Sequence, residues 1–472
     1  MLFNSWQFAV FLPVVFALYW SLPHRFRWLL ILIASYYFYM SWNVEYVVLI
    51  LFTTIVSYWA AILIERFRQY GKMIMITAVI MCLGVLFIFK YFNFISQSVS
   101  DFLNMFAVHL HPMTLKLMLP VGISFYTFQT LSYVIDVYRG TTKAERHLGI
   151  YAAFISFFPQ LVAGPIERTN NLLPQIKARH EFSYEQGTYG LKLIAWGLFK
   201  KLCVADVLAV YADKVFADVY QYKGFSLVLA VFFFSIQIYC DFSGYSDIAR
   251  GSAKLFGIEL MENFRSPYFS SSIREFWSRW HISLSTWFRD YVYIPLGGSR
   301  VGKFRHYMNL MITFIVSGLW HGANWTFVAW GAVHGLAQIL EDVFGTGRKC
   351  SAWRVMAVFA FTCAAWVFFR AQNIGEAGYI FAHIFTGISE PVTYLKNGIH
   401  DMDIWGIASL MKKLARPLVL FIWDYVCLKH DVIASVTSCK NRILRYSLYF
   451  ILLHALLLFR VSVNTEFIYF QF

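Results

Sequence analysis

Charged residues are scarce in this sequence. Asp, Glu, Lys and Arg make up 14% of the 472 residues, whereas hydrophobic residues make up 59%, and the mean hydropathy is +0.56. A water-soluble globule of this length needs far more polar surface than these residues supply. The composition therefore excludes a soluble protein and requires most of the chain to face lipid or other buried helices.

Several motifs of soluble enzymes and metalloproteins are absent. The seven cysteines are scattered and odd in number, without a CxxC pair, and no HExxH occurs, so neither a disulfide framework nor a metal site is predicted. A GxSxG elbow and an HxxxxD acyltransferase motif are also lacking. The formal charge of +14 comes without a long basic run interleaved with aromatics. This argues against nucleic acid as a partner and for cytoplasmic loops beside anionic lipid.

Apolar stretches near the length of a membrane span recur along the chain. Crossing the hydrocarbon core takes about 20 residues, and about 11 to 13 stretches qualify. They lie at roughly 6–22, 28–44, 46–64, 73–94, 117–138, 149–163, 186–210, 224–243, 307–342 as two, 352–370, 415–428 and 446–462. Because lipid offers no partner to backbone amides, the spans must be helical. We predict an all-α polytopic membrane protein in one integral domain, 1–472, with a motif-rich core at about 115–345 and C-terminal spans at 350–472.

Basic residues are distributed unevenly among the early loops. The loops at 24–27, 65–72 and 139–146 carry Lys and Arg, whereas residues 95–115 carry neither. Lys and Arg are enriched in cytoplasmic loops, so this pattern predicts an extracytoplasmic amino terminus. The first apolar segment lacks the basic n-region of a cleavable signal and is read as a retained span.

The first element that carries chemistry is REFWSRWHISLSTWFRD at 274–290, which is too polar for lipid but rich in Trp. Helical spacing predicts one amphipathic helix, with His281 on the face of the aromatic side chains and an i,i+4 pair of Glu275 with Arg279. Such a helix belongs at the membrane surface or over a water-filled cavity. The alternative is an amphipathic helix whose histidine is merely packed.

The second element, SGLWHGANW at 317–325, interrupts a long apolar stretch. An ionisable group at membrane depth is costly without a cavity or partners, which makes His321 a functional candidate. A neutral imidazole can take a proton from a hydroxyl and return it to a leaving thiolate. A histidine that packs two helices by hydrogen bonds is the alternative. His334 and His454 lack a polar or glycine-rich setting and are predicted to pack.

A third element, QIYCDFSGYSD at 237–247, ends a strongly apolar span with two carboxylates. Asp241 or Asp247 either orients a histidine or pairs with Arg250, because a buried charge demands a partner. Structural pairing and catalysis both remain open for these residues.

Five motifs together resemble the membrane-bound O-acyltransferases, in the branch that contains the alginate O-acetylase of bacterial exopolysaccharide systems. They are LPVGISFYTFQTLSYVIDVYRG at 119–140, FPQLVAGPIER at 158–168, YCDFSGYSDIARG at 239–251, NFRSPYFSSSIREFWSRWHISLSTWFRDYVYIPLGGSR at 263–300 and SGLWHGANWTFVAWGAVHG at 317–335. The last two are the most specific, with histidines 40 positions apart.

The resemblance implies a helical shell with re-entrant and interfacial helices around a tunnel that reaches both membrane faces. His321 matches the family's active-site histidine, and His281 matches the second histidine lining the tunnel. The remaining residues that we expect to line the tunnel or contact substrate are Trp280, Ser283, Trp320, Asn324, Asp241 and Arg289.

The implied function is O-acyl transfer in a bacterial cell membrane. An acetyl group would pass from cytoplasmic acetyl-CoA, with no bound cofactor, toward O-acetylation of an exported polysaccharide through an exported or membrane-anchored partner protein. D-alanyl transfer toward teichoic acid from an acyl carrier protein is the alternative within this chemistry, and a polytopic transporter or glycan flippase is the alternative from another class. The paired histidine motifs favour acyl transfer. Alginate, cellulose, peptidoglycan and other polymers all remain open as the glycan.

Overall fold

The protein is described here by a computed structural model. The residues it describes are 1–108, 110–162, 164–345, 351–401, 406–459, 467 and 468. Within these ranges every regular element is a helix, which confirms the all-α prediction. A helix satisfies its backbone amides within its own segment, as lipid requires. Ala163, Cys350 and the last three residues of the predicted span at 446–462 lie outside the described residues.

Among the described residues, four helical segments are long and apolar enough to cross a membrane. They are Val47–Arg66, Arg68–Asn104, Phe225–Leu255 and Ala352–Arg370. The shorter apolar helix Trp6–Ser21 also presents an exposed row of Val10, Val14 and Leu18. Apolar rows of this kind belong against lipid rather than water. The protein is therefore a polytopic membrane protein, and the total of about eleven spans stays a prediction.

The helices fall into two compact units. Unit 1 comprises Met1–Ile194 with Ile248–Met261, and unit 2 comprises Ala195–Asp247 with Glu262–Phe472. The chain crosses from one unit to the other within a helix, because Phe225–Leu255 begins in unit 2 and ends in unit 1. The single integral domain over 1–472 stays a prediction.

Unit 1 is built from helices that several buried polar side chains connect by hydrogen bonds. Its helices are α1 Trp6–Ser21, α2 His24–Met40, α3 Val47–Arg66, α4 Gly71–Leu86, α5 Phe92–Asn104, α6 Ile123–Arg139, α7 Leu148–Ser156, α8 Phe158–Leu161, α9 Thr169–Lys177 and most of α10 Tyr184–Leu198. The hydroxyls of Ser57 and Tyr151 lie 2.6 Å apart, and Gln129 Nε2 donates to the Phe154 carbonyl at 2.9 Å. Buried polar groups require such partners, and these tie α3 and α6 to α7.

The span predicted at 149–163 is wrong. The chain there forms two short helices, α7 of nine residues and α8 of four, which meet at Phe157. Pro159 lies in the first turn of α8, where its missing N–H costs nothing, whereas a continuous helix would lose a hydrogen bond to Ile155 and clash with that carbonyl. Neither helix approaches the roughly 20 residues of a span.

Unit 2 contains the histidine motifs. Its helices are the end of α10, then α11 Asp206–Ala217, most of α12 Phe225–Leu255, α13 Ile273–Arg279, α14 Ile282–Phe288, α15 Lys303–His321, α16 Trp325–Phe344, α17 Ala352–Arg370, α18 Ile374–His383, α19 Pro391–His400, α20 Ile407–Cys427, α21 Val432–Ser438 and α22 Arg442–Leu458. In the apolar stretch of 18 residues that qualifies α12 as a possible membrane span, 83% of the residues are buried. This helix is therefore enclosed by protein, and it runs twelve residues past the predicted end of its span at 243.

Candidate active site

His321 is the last residue of α15 and lies beside the turn into α16. The predicted stretch at 307–342 does form two helices, and the turn between them consists of Gly322, Ala323 and Asn324. Only 3% of the His321 surface is exposed. The helix end thus places the imidazole inside the protein rather than in lipid.

Two glycines allow α15 and α16 to meet closely around His321. A Cβ at Gly318 would lie 2.2 Å from the Phe327 carbonyl oxygen, and a Cβ at Gly322 would lie 2.1 Å from the Phe327 ring. A side chain at Gly318 would force the two helices apart, and one at Gly322 would displace the Phe327 ring. The glycines flanking His321 therefore serve helix packing in this structure.

Asn324 caps the second helix. Its Oδ1 accepts a hydrogen bond from the Thr326 amide at 3.0 Å, and its Nδ2 donates to the Gln372 carbonyl at 2.8 Å. Asn is among the preferred residues at this position because its side chain satisfies an amide that the helix leaves free. These contacts assign Asn324 a structural task, and its contact with substrate stays a prediction.

The single amphipathic helix predicted over 274–290 is wrong, because the chain breaks at its centre. Helix α13 ends at Arg279 and α14 begins at Ile282, and His281 between them has a left-handed backbone with φ +44° and ψ 54°. Such a conformation costs a non-glycine residue free energy and persists only where the surroundings enforce it. The predicted pair of Glu275 with Arg279 is confirmed at 2.6 Å.

Asn263 enforces this break from a neighbouring loop. Its backbone carbonyl accepts from the Ile282 amide at 3.0 Å, and its side-chain Oδ1 accepts from the Ser283 amide at 3.1 Å and the Ser283 hydroxyl at 2.9 Å. Two amides at the start of α14 are thereby satisfied. The same Oδ1 lies 3.3 Å from His281 Nδ1. Sequence reasoning missed Asn263, since no local pattern relates it to a histidine 18 positions later.

The break brings the two histidines into one buried cluster. The imidazole centroids of His281 and His321 lie 6.4 Å apart, and Trp320 contacts both rings at centroid distances of 6.0 and 4.9 Å. Phe242 packs on His281 and Trp330 on His321, each edge to face. Burial lowers the pKa of His281 to about 3, so its imidazole is neutral at physiological pH. A neutral imidazole keeps a lone pair on one ring nitrogen and is suited to accept a hydrogen bond.

Three more predicted residues belong to this cluster or support it. Trp320 lies between the histidines, as described, and Ser283 bonds to Asn263. Trp280 is 1% exposed and packs on Tyr239 at 5.9 Å and on Trp366 at 5.0 Å between centroids. Trp280 therefore forms the wall behind His281.

Arg289 and Asp241 lie apart from the cluster in their contacts. The Arg289 side chain is 59% exposed and pairs with the adjacent Asp290 at 2.8 Å. Asp241 pairs with Lys201 at 2.8 Å and accepts from the Ile468 amide at 2.8 Å. The structure thus gives Arg289 and Asp241 ionic partners, and their contact with substrate or tunnel stays a prediction.

Two lysines that sequence reasoning overlooked neutralise the carboxylates of α12. Lys201 also pairs with Asp206 at 2.9 Å, and Lys200 pairs with Asp247 at 2.5 Å. Both lysines lie in the π-helical segment Phe199–Ala205. Buried charges of opposite sign account for these contacts, and the pairing of Asp241 or Asp247 with Arg250 stays a prediction.

His334 packs among aromatic rings, as predicted. It is fully buried, with Phe276, Trp277 and Trp330 at centroid distances of 6.2, 5.0 and 5.0 Å. Trp330 separates it from His321, so His334 supports the wall of the cluster from outside.

Comparison with known proteins agrees with this arrangement. Residues 147–374 match the model of the membrane-bound O-acyltransferase family, and they include both histidines. A probable alginate O-acetylase of Pseudomonas aeruginosa is 41% identical over 394 residues, which cover 82% of this chain and 75% of that protein.

Two further relatives differ in coverage. A peptidoglycan O-acetyltransferase of Helicobacter pylori is 33% identical over 525 aligned positions, covering 100% of this chain and 98% of that protein. A teichoic acid D-alanyltransferase of Streptococcus thermophilus is 33% identical over 245 residues, covering 48% of this chain and 58% of that protein. On this similarity, and with both motif histidines joined in one buried cluster, the chain belongs to the membrane-bound O-acyltransferase family and is an O-acyltransferase.

Proposed function

We propose that this enzyme moves an acetyl group from cytoplasmic acetyl-CoA across the membrane for O-acetylation of an exported polysaccharide. The observation that carries the proposal is the pair of buried imidazoles, 6.4 Å apart between centroids and enclosed by aromatic rings. Such a site holds a histidine base in an environment from which water is excluded, where a thioester is protected from hydrolysis.

In the proposed reaction His321 acts as the general base. It takes the proton of the acceptor hydroxyl while the hydroxyl oxygen attacks the thioester carbonyl carbon. The new C–O bond forms, the C–S bond breaks, and the same proton passes to the departing thiolate of CoA. The reaction needs no metal ion or bound cofactor, and His281 supports it from the opposite side of the cluster.

Acetyl is favoured over D-alanyl as the group transferred. The relatives named as O-acetylating enzymes cover 82% and 100% of this chain, whereas the D-alanyltransferase covers 48%. The two named acetylation substrates, alginate and peptidoglycan, are both polymers outside the cytoplasm. We therefore assign an exported glycan as the final acceptor, reached through an exported or membrane-anchored partner protein.

Contacts within unit 1 join two basic loops that the proposed orientation in a bacterial cell membrane places together in the cytoplasm. Arg146 pairs with Glu65 at 2.5 Å, and Arg68 donates to the Tyr138 carbonyl at 3.0 Å. The basic loops at 65–72 and 139–146 therefore lie on one side of the membrane, as a shared cytoplasmic location requires. With these loops in the cytoplasm, the alternation of the early loops places the amino terminus on the extracytoplasmic side.

Cysteine labelling tests the orientation. In a variant without native cysteines, R68C should resist a membrane-impermeant reagent applied to intact cells, whereas D101C should react. Labelling of R68C from outside would reverse the orientation.

The function is tested by incubating the purified chain and its acceptor or partner protein with acetyl-CoA, or with a D-alanyl carrier protein, and measuring thiol release. We expect thiol release with acetyl-CoA as the donor and none with the D-alanyl carrier protein. If thiol were released only from the D-alanyl carrier protein, the transferred group would be D-alanyl instead of acetyl. If thiol were released from neither donor, a transporter would be favoured. Analysis of ester groups on the host's extracellular polymers, with and without the gene, then identifies the glycan as the one that loses its ester.

A further inference from the structure

The amide of Asn263 has one defined orientation. A backbone N–H can only donate, so the atom that faces the Ser283 amide at 3.1 Å must be the oxygen Oδ1. The other end, Nδ2, then donates to the Ser246 hydroxyl at 3.3 Å. The orientation of this side chain is therefore decided by a backbone group that has no alternative role.

This orientation selects one tautomer of His281. The carboxamide oxygen has no proton to donate, and it lies 3.3 Å from His281 Nδ1. A hydrogen bond between them requires the proton on Nδ1, which leaves Nε2 as the nitrogen with a lone pair. Burial lowers the pKa of this imidazole to about 3, so a second proton is not held at neutral pH.

We infer that Asn263 is a positioning residue that holds His281 as its Nδ1–H tautomer, so that Nε2 acts as an acceptor in the acyl-transfer site. This inference rests on the proposed function. Asn263 performs two tasks at once, because the same side chain stabilises the left-handed backbone of His281 through Ser283. A histidine ring is oriented in this way when a second group binds the nitrogen away from the reaction.

The chemistry that Nε2 can recognise is an N–H or O–H donor of a bound substrate. The amide groups of the pantetheine arm of acetyl-CoA and the hydroxyl of the acyl acceptor both fit. Among the ring contacts described for His281, His321 of α15 is titratable, while Phe242 of α12 and Trp320 of α15 are not. Steady-state kinetics distinguish acetyl-CoA from the acyl acceptor as the bound donor. A variant in which His281 Nε2 no longer accepts a hydrogen bond should have a raised KM for the substrate that binds this nitrogen.

The tautomer can be measured directly in the wild-type protein. Histidine labelled with ¹⁵N is observed by solid-state NMR in bilayers, and the His281 signals are assigned by their loss in H281N. We expect a protonated Nδ1 and an unprotonated Nε2. The reverse pattern in the wild-type protein would overturn the inference, whatever the variants do.

Two substitutions test the consequence for catalysis. N263A removes the acceptor and should lower kcat/KM by about 10- to 100-fold. N263D keeps an acceptor for Nδ1–H and Ser283, and its carboxylate favours the charged imidazolium, so the pKa of His281 should rise. Activity of N263D should then approach the wild-type value at high pH and fall as pH decreases through the neutral range.

A matched control is N309D, which also places a carboxylate at a buried asparagine of unit 2. Asn309 donates to the carbonyls of Leu296 and Gly298 and contacts no histidine in the described hydrogen bonds. Per folded molecule its pH profile should equal that of the wild type. If N263D also kept the wild-type profile while wild-type thiol release was normal, the positioning role would be wrong. If the wild type released no thiol, the proposed function itself would fail.

Discussion

The two histidines of the site are held by different means. His321 ends a regular helix, and glycine-mediated contact of α15 with α16 places it. His281 lies in a break between two seven-residue helices, with a strained backbone that Asn263 stabilises. The comparison teaches that one imidazole depends on helix packing and the other on a few side-chain hydrogen bonds. Substitutions should therefore separate catalysis from folding more cleanly at 321 than at 281.

The largest effect is expected at His321. Its replacement by Ala or Asn removes the proposed base from a regular helix that either residue can continue, so thiol release should fall by about 10² to 10⁴. The protein should still insert, fold and elute as a single species. His454 supplies the control, because this half-buried histidine lies in apolar helix α22 and bonds only to the Phe450 carbonyl among the described hydrogen bonds, so H454N should keep wild-type turnover. Wild-type turnover in H321A would refute the assignment of the base.

A smaller loss of activity is expected at His281, accompanied by a dependence on the new residue. Asn tolerates the left-handed conformation, so H281N should fold and lose about 10- to 100-fold in kcat/KM. The β-branched H281V cannot adopt φ +44° without strain and should also lose stability. The two variants are compared by activity per folded molecule and by thermal midpoint. Equal midpoints would show that the backbone at 281 is not constrained.

Helix packing around His321 can be tested without touching a histidine. G318A places a methyl group 2.2 Å from the backbone carbonyl oxygen of Phe327, and such overpacking costs about 1–3 kcal/mol. G84A is the matched control in α4, where nothing lies within 4 Å and Ala favours the helix by up to about 1 kcal/mol. The thermal midpoint should fall for G318A and stay or rise for G84A. The same shift in both would contradict the packing role.

A further effect concerns the pH dependence of stability and leaves activity at neutral pH unchanged. His281 has a lowered pKa of about 3 in the folded protein against 6.5 for an ordinary histidine, so below about pH 6.5 the unfolded chain binds a proton that the folded chain does not. The free energy of unfolding therefore has its full value above pH 6.5 and decreases as pH falls, by about 2 kcal/mol at pH 5. Thermal midpoints from pH 7.5 to 5 should fall less steeply for H281N than for the wild type. Parallel curves would show that His281 is already protonated or exposed.

The membrane class, the all-helical fold and the two histidine motifs follow from the sequence alone. A chain with 14% charged residues and long apolar stretches must form helices in lipid, because lipid offers no partner to backbone amides. A histidine in an apolar stretch is costly without a partner or cavity, which marks it as a functional candidate. The hairpin around His321 was also predictable, because its glycines and capping asparagine are local signals of a turn between two helices.

Only the tertiary structure decided how the site is assembled. The spacing of 274–290 favours one helix, but hydrogen bonds from Asn263 outweigh that local preference and turn His281 into the cluster. The carboxylates of α12 could have faced a histidine, yet Asp247 pairs with Lys200 and Asp241 with Lys201. These outcomes depend on contacts between residues far apart in the chain, and local periodicity carries no information about which distant partner a buried polar group will find.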